Sequence, residues 1–167
     1  MRSVGFLGGH TVYELGSASD VEIFFNFLGK FVVKKFGYDD WELLTSRLYK
    51  RYLRLDELEH AAALMSQVRN EFSILEKSSL DWGEVMRVDR GKTCLDLNKD
   101  SLGGIFFKYF ESFFLAKNSA MSFFEAFGIY QPVRLVVSDM PMLVVEKKRS
   151  LEEYDGLSNG DLPFWLR

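Results

Sequence analysis

Thiols and imidazoles are scarce in this chain: Cys94 is its one cysteine, and His10 and His60 are its two histidines. A single thiol excludes an intramolecular disulfide and any zinc site built on several thiolates, and it suits a reducing cytoplasm. Long apolar runs are missing too. The longest stretch without Asp, Glu, Lys or Arg runs only from Ser3 to Tyr13, and Met1 to Leu7 holds one Arg and no apolar block. Neither a membrane span nor a signal peptide is therefore expected. A surplus of positive charge is also absent: Lys plus Arg number 21 against 24 Asp plus Glu, a formal charge of −3. That is the wrong sign for a protein that holds nucleic acid by counterion release. Prolines number three, and no repeat, low-complexity segment or linker-like stretch divides the 167 residues, so residues 1–167 are read as a single domain.

Aromatic and aliphatic residues are abundant. Apolar types make up 47% of the chain, with 16 Phe, 7 Tyr and 3 Trp, enough to bury a core without help from a metal or a disulfide. Val4 to Leu7 and Thr11 to Leu15 flank Gly8-Gly9, a pair that accepts positive φ, which predicts an opening β-hairpin. Ser19 and Glu22 have capping-box spacing. After them Val21, Phe24, Phe25, Leu28, Phe31 and Val32 recur at helical intervals up to Gly37, predicting a helix over about 20–35. Ile23, Phe27 and Val33 widen its apolar surface, so that helix must be covered on more than one side.

Asp40 is read as the cap of a short helix through about Tyr49, and Asp56 as the cap of one over about 57–75 with Leu58, Ala61, Ala62, Met65, Val68, Phe72 and Leu75 inward. From Ser78 to Asp100 charges interrupt every period, and a loop with one short strand at Glu84 to Val88 is expected. Ser101 to Phe127 is Phe-dense and reads as one helix, or as two broken after Asn118-Ser119, ending at Gly128. Val133 to Val137 and Leu143 to Val145, joined by Ser138-Asp139-Met140-Pro141, predict a second hairpin. The order of elements gives an α+β fold: an antiparallel sheet built from N- and C-terminal hairpins with about four helices packed on it. Phe164 and Trp165 are read as tying the C-terminal segment to the core rather than as interface anchors.

Candidate chemistry is sparse. His10 follows a turn, His60 lies one helical turn after Asp56, and no spacing links either to Cys94, so no catalytic residue is assigned. Glu57 and His60 share a helix face without a third ligand, and no metal site is assigned. Gly5, Gly8 and Gly9 lead into a strand rather than into a helix N-terminus, which removes a phosphate cradle, and no cofactor is expected. The three-residue cluster Lys147-Lys148-Arg149 reads as a solvated strand end. Two acidic stretches stand out, because clustered carboxylates steer and hold basic partners. Their members are Asp81, Glu84, Asp89, Asp96 and Asp100, and then Glu152, Glu153 and Asp155.

The segment Val4-Gly5-Phe6 through Thr11-Val12-Tyr13-Glu14-Leu15-Gly16-Ser17, followed by Ile23-Phe24-Phe25 and by Leu48-Tyr49 before a long amphipathic helix, resembles the immunity protein 70 family. The likeness covers roughly residues 3–75 and carries no catalytic motif; Glu152-Glu153-Tyr154-Asp155 and Pro163-Phe164-Trp165-Leu166-Arg167 resemble such proteins more loosely. The family comprises bacterial immunity proteins of polymorphic-toxin and contact-dependent growth inhibition systems. The resemblance implies a cytoplasmic protein, not an enzyme, that binds and neutralises one cognate toxin C-terminal domain by stoichiometric occlusion. Its expected partner is thus a protein, a nuclease being the leading choice, with neither nucleic acid nor membrane bound directly. The acidic residues named above are the expected toxin-binding set. The oligomeric state is left open. The alternative function is a small-molecule-binding regulatory domain with an aromatic-lined pocket.

Overall fold

The computed structural model describes residues 3–37, 39–81, 93–138 and 160–166. Strands β1 (Ser3–Gly8) and β2 (Thr11–Ser17) form the expected hairpin around Gly9, whose φ of 60° is the left-handed value the turn needs. Between Val4 and Gly5 the register slips by one residue, so Leu15 bulges from the ladder and points into the core. Strand β3 (Arg134–Val137) pairs antiparallel with the other edge of β1, giving the order β2-β1-β3. The fold is α+β, as expected. The return strand of the second hairpin, Leu143 to Val145, lies outside the described residues, as does Glu84 to Val88.

Helix α1 (Ala18–Leu28) starts directly from β2. The backbone of Ser17 is extended and its Oγ accepts the Asp20 N–H at 3.2 Å, so Ser17 is the cap; Ser19, the expected cap, lies within the first turn. An N-cap must keep extended dihedrals, and the last residue of a strand already has them. The helical path runs on through a π-helical stretch, Gly29–Val33, and a final turn, Lys34–Phe36. A second π-helical stretch, Leu43–Leu48, follows. In these stretches the Lys34 and Tyr49 N–H groups reach back five residues, to the Gly29 and Leu44 carbonyls.

Helix α2 (Leu58–Ile74) is preceded by a 3₁₀ turn, Leu55–Glu57. Glu57, not Asp56, closes its start: a Glu57 carboxylate oxygen accepts the Arg54 N–H at 2.9 Å. Ser101 caps a short helix α3 (Leu102–Ile105), accepting the Gly104 N–H at 3.1 Å. The chain then breaks at Phe106 and continues as α4 (Phe107–Phe127) to a left-handed Gly128. Asn118 and Ser119, where a break was open, stay inside α4. Phe106, at the break, is fully buried among Phe24, Phe27, Phe72 and Tyr109.

Phe24 is the hub of the core. Its ring lies 4.9–5.7 Å from those of Phe25, Phe72, Phe106, Tyr109 and Phe110, mostly edge-on or tilted, the favoured arrangement for aromatic quadrupoles. Helix α4 covers one face of the sheet, with Phe6 against Phe113 and the Tyr13 hydroxyl bonded to Ser119 Oγ. Strand and helix approach closely at Gly8, where a Cβ would stand 2.0 Å from the Ala116 carbonyl oxygen. Trp165 is buried and donates its indole N–H to the Tyr49 carbonyl at 2.7 Å, so the terminal segment is tied to the core as expected.

Candidate functional site

Asp20, in the first turn of α1, is fully buried and organises the first feature. A buried carboxylate must be hydrogen-bonded to be tolerated. One Asp20 oxygen accepts the Thr93 hydroxyl and the other the Cys94 N–H, both at 2.7 Å, which fastens residues 93–95 over the junction of β2 and α1. Gly16 makes room: a Cβ there would meet Cys94 Cβ at 3.2 Å and Asp20 Oδ2 at 3.3 Å. Cys94 is left exposed at a cleft of about 460 Å³, lined also by Leu15, Ile105, Phe107 and Tyr109, with Asp96, Lys99 and Lys108. Burial, then the Asp20 carboxylate, then Cys94 push the Tyr109 phenol well above its ordinary range.

The second feature is acidic. Lys77 N–H bonds the Asp100 carbonyl at 2.7 Å, Leu102 N–H bonds the Leu75 carbonyl at 3.0 Å, and Glu76 and Ser101 form an antiparallel bridge. The Lys77 ammonium also reaches the Leu97 carbonyl. These bonds staple residues 95–101 to 75–80 and put Glu76, Asp96 and Asp100 on one exposed frame, with Asp81 at its end. Ile74, 70% exposed, lies two residues from Glu76. Of the expected toxin-binding set, Asp81, Asp96 and Asp100 are therefore exposed, and Asp96 and Asp100 share one stapled loop. Glu84, Asp89, Glu152, Glu153 and Asp155 lie outside the described residues.

A third surface was not anticipated. Asp39, Asp40 and Glu42 border a cleft of about 500 Å³ with Arg47, Arg54, Glu57 and His60. Arg47 is held by Glu57 at 3.3 Å and lies over the Tyr52 ring, so part of the positive charge there is already engaged. The three carboxylates are legible in the sequence as charges, though Asp40 offers itself there only as a helix cap. His60 and Glu57 share this face, as their spacing requires. Among the described residues no group of three His, Cys, Asp or Glu side chains is placed to hold a metal. His10 stacks edge-on with Phe123 at the hairpin turn, whereas Cys94 lies beside Gly16 at the far end of β2 and His60 borders another cleft. The three nucleophile or base candidates therefore occupy three separate places. No described helix is long and apolar enough to cross a membrane.

No protein-family model, curated protein or solved structure matches this chain.

Proposed function

We propose that the chain is a cytoplasmic immunity-type inhibitor that neutralises one toxin domain, a nuclease in the leading case, by holding it in a stoichiometric complex. The observation that carries this reading is the stapled pair of segments 75–80 and 95–101, which presents Glu76, Asp96 and Asp100 on a fixed backbone beside exposed Ile74. Carboxylates fixed before binding lose little conformational freedom on meeting a basic groove, and an apolar side chain bordered by charge matches the core-and-rim anatomy of protein interfaces. The resemblance of the N-terminal half to immunity proteins points the same way. Occlusion needs no reacting group, in keeping with the separate positions of His10, His60 and Cys94.

The test is to produce the chain with the toxin domain encoded beside it and to titrate one against the other. Protection of the cell together with a one-to-one complex supports the reading. Inhibition at substoichiometric amounts with turnover, or no complex at all, overturns it.

A further inference from the structure

The outer edge of β2 is open. The Ser138 N–H donates to the Ser3 carbonyl at 2.8 Å, which fixes the alternation along β1: Ser3, Gly5 and Leu7 turn their N–H and C=O groups toward β3, and Val4, Phe6 and Gly8 turn theirs toward β2. Phe6 therefore bonds Tyr13 and Gly8 bonds Thr11, so the N–H and C=O groups of Val12 and Glu14 point away from β1. Among the described residues no strand pairs with that edge, and no backbone hydrogen bond reaches those groups. Thr11 and Glu14 are exposed, and the open stretch stops where Cys94 lies against Gly16.

Unpaired N–H and C=O groups at strand spacing recognise one kind of ligand, another extended backbone. A second copy of this chain and a segment of a different protein both have that form, and charge separates them. Val12 and Glu14 lie on the sheet face opposite α4. In the antiparallel register that uses both residues of two copies, each Val12 faces the other copy's Glu14, and the two Glu14 carboxylates become diagonal neighbours on one face. His10 belongs to the turn, so the edge offers no longer register. Two chains of formal charge −3 also repel, whereas a Lys or Arg beside Glu14 is attracted. We propose that β2 takes an extended segment of the toxin partner as an added strand along Thr11–Glu14, with a Lys or Arg of that segment beside Glu14. This rests on the inhibitor reading and states how the complex is held: the backbones of Val12 and Glu14 supply hydrogen bonds, and the Glu14 carboxylate selects a basic segment. Leu15, at the end of the open stretch, lines the same cleft as Asp96, so the edge adjoins the stapled loop and one partner can engage both.

The test is residue-resolved amide hydrogen exchange on the full chain, alone and with the toxin domain encoded beside it. In the free chain the Val12 and Glu14 amides should exchange much faster than the Tyr13 amide, which β1 already holds. In the complex both should slow by on the order of a hundredfold, a protection that alternates along β2 as side-chain contacts would not. Val12→Pro removes one outward donor at a place where an edge strand tolerates proline, and it should weaken the complex about tenfold. Val12→Ala keeps the N–H and should weaken it less than about threefold, and Glu14→Lys should weaken it and change its salt dependence. A one-to-one complex in which the Val12 and Glu14 amides exchange as in the free chain overturns the proposal and leaves the inhibitor reading standing. Absence of any complex overturns both. Protection of those amides without the toxin, in a dimer seen by sedimentation, overturns the proposal in favour of a second copy.

Discussion

The Cys94 N–H donates to the Asp20 carboxylate at 2.7 Å across 74 positions of sequence. This bond and its companion from Thr93 are what fix the loop after residue 92 to the start of α1. Asp20→Ala leaves both donors without their acceptor and should cost about 2 to 4 kcal/mol of stability, read from urea unfolding. The same variant should speed alkylation of Cys94 by freeing its loop. Cys94→Ser, by contrast, touches an exposed side chain and should change stability by less than about 0.5 kcal/mol.

Gly8→Ala should destabilise the fold by at least about 3 kcal/mol. Its new Cβ meets backbone atoms of Ala116, which cannot swing aside as a side chain would, so β1 and α4 must separate. Thermal unfolding of Gly8→Ala beside Gly29→Ala, where a Cβ meets nothing, separates contact from backbone effects. Comparable losses in the two variants would show that the Ala116 approach is not the cause.

Stability should fall steeply in alkali. Burial, and secondarily Glu22, push the Tyr49 phenol up to about 12, and Tyr109 and Tyr130 are raised further, burial again being the first cause. The folded chain thus holds these protons more tightly than the unfolded chain, whose tyrosines titrate near 10. Their contribution is complete below that value and is lost as pH rises through the folded values. Urea midpoints measured across this window should drop as phenolate absorbance grows, and Tyr49→Phe should lessen the drop. Glu22, raised by burial, carries the related sign: Glu22→Gln should be neutral or stabilising at pH 7.

Asp100→Lys and Asp81→Lys should slow association with the proposed toxin partner and reduce its salt sensitivity, with little change in dissociation, as expected of rim charges. Rates at two salt concentrations, with circular dichroism to verify the fold, decide it. Unchanged rates in both variants would move the contact elsewhere, and the carboxylates Asp39, Asp40 and Glu42 would then be the next to reverse.

The hairpin was legible because Gly8-Gly9 sits between two β-rich runs, and α2 because its apolar period is regular. The π-helical stretches were not, since an apolar surface as wide as that from Val21 to Val33 is equally compatible with several pitches. The break at Phe106 was hidden for a related reason: Leu102, Ile105, Phe106 and Tyr109 satisfy one helical face, and that spacing carries no sign of an interruption. The acidic residues of the 95–101 loop could be picked out from charge alone, but the staple to 75–80 rests on backbone bonds that no residue type announces. Asp20 was missed because an acid in the first helical turn is ordinary. Its partners lie more than seventy residues away.

Strand β1 lies between a neighbour that follows it at once and another that begins only at Arg134. On a translating ribosome the hairpin of β1 and β2 emerges early, but the second edge of β1 stays open until β3 is made, on the order of ten seconds later. Until α4 and β3 have followed, Val4 and Phe6 lack the helix that covers them, and Leu7 lacks its neighbour Val136. Strand β1 is therefore open to aggregation while it waits for β3, and the yield in a cell should depend on how fast synthesis reaches Val137 and on which chaperones hold that edge in the meantime.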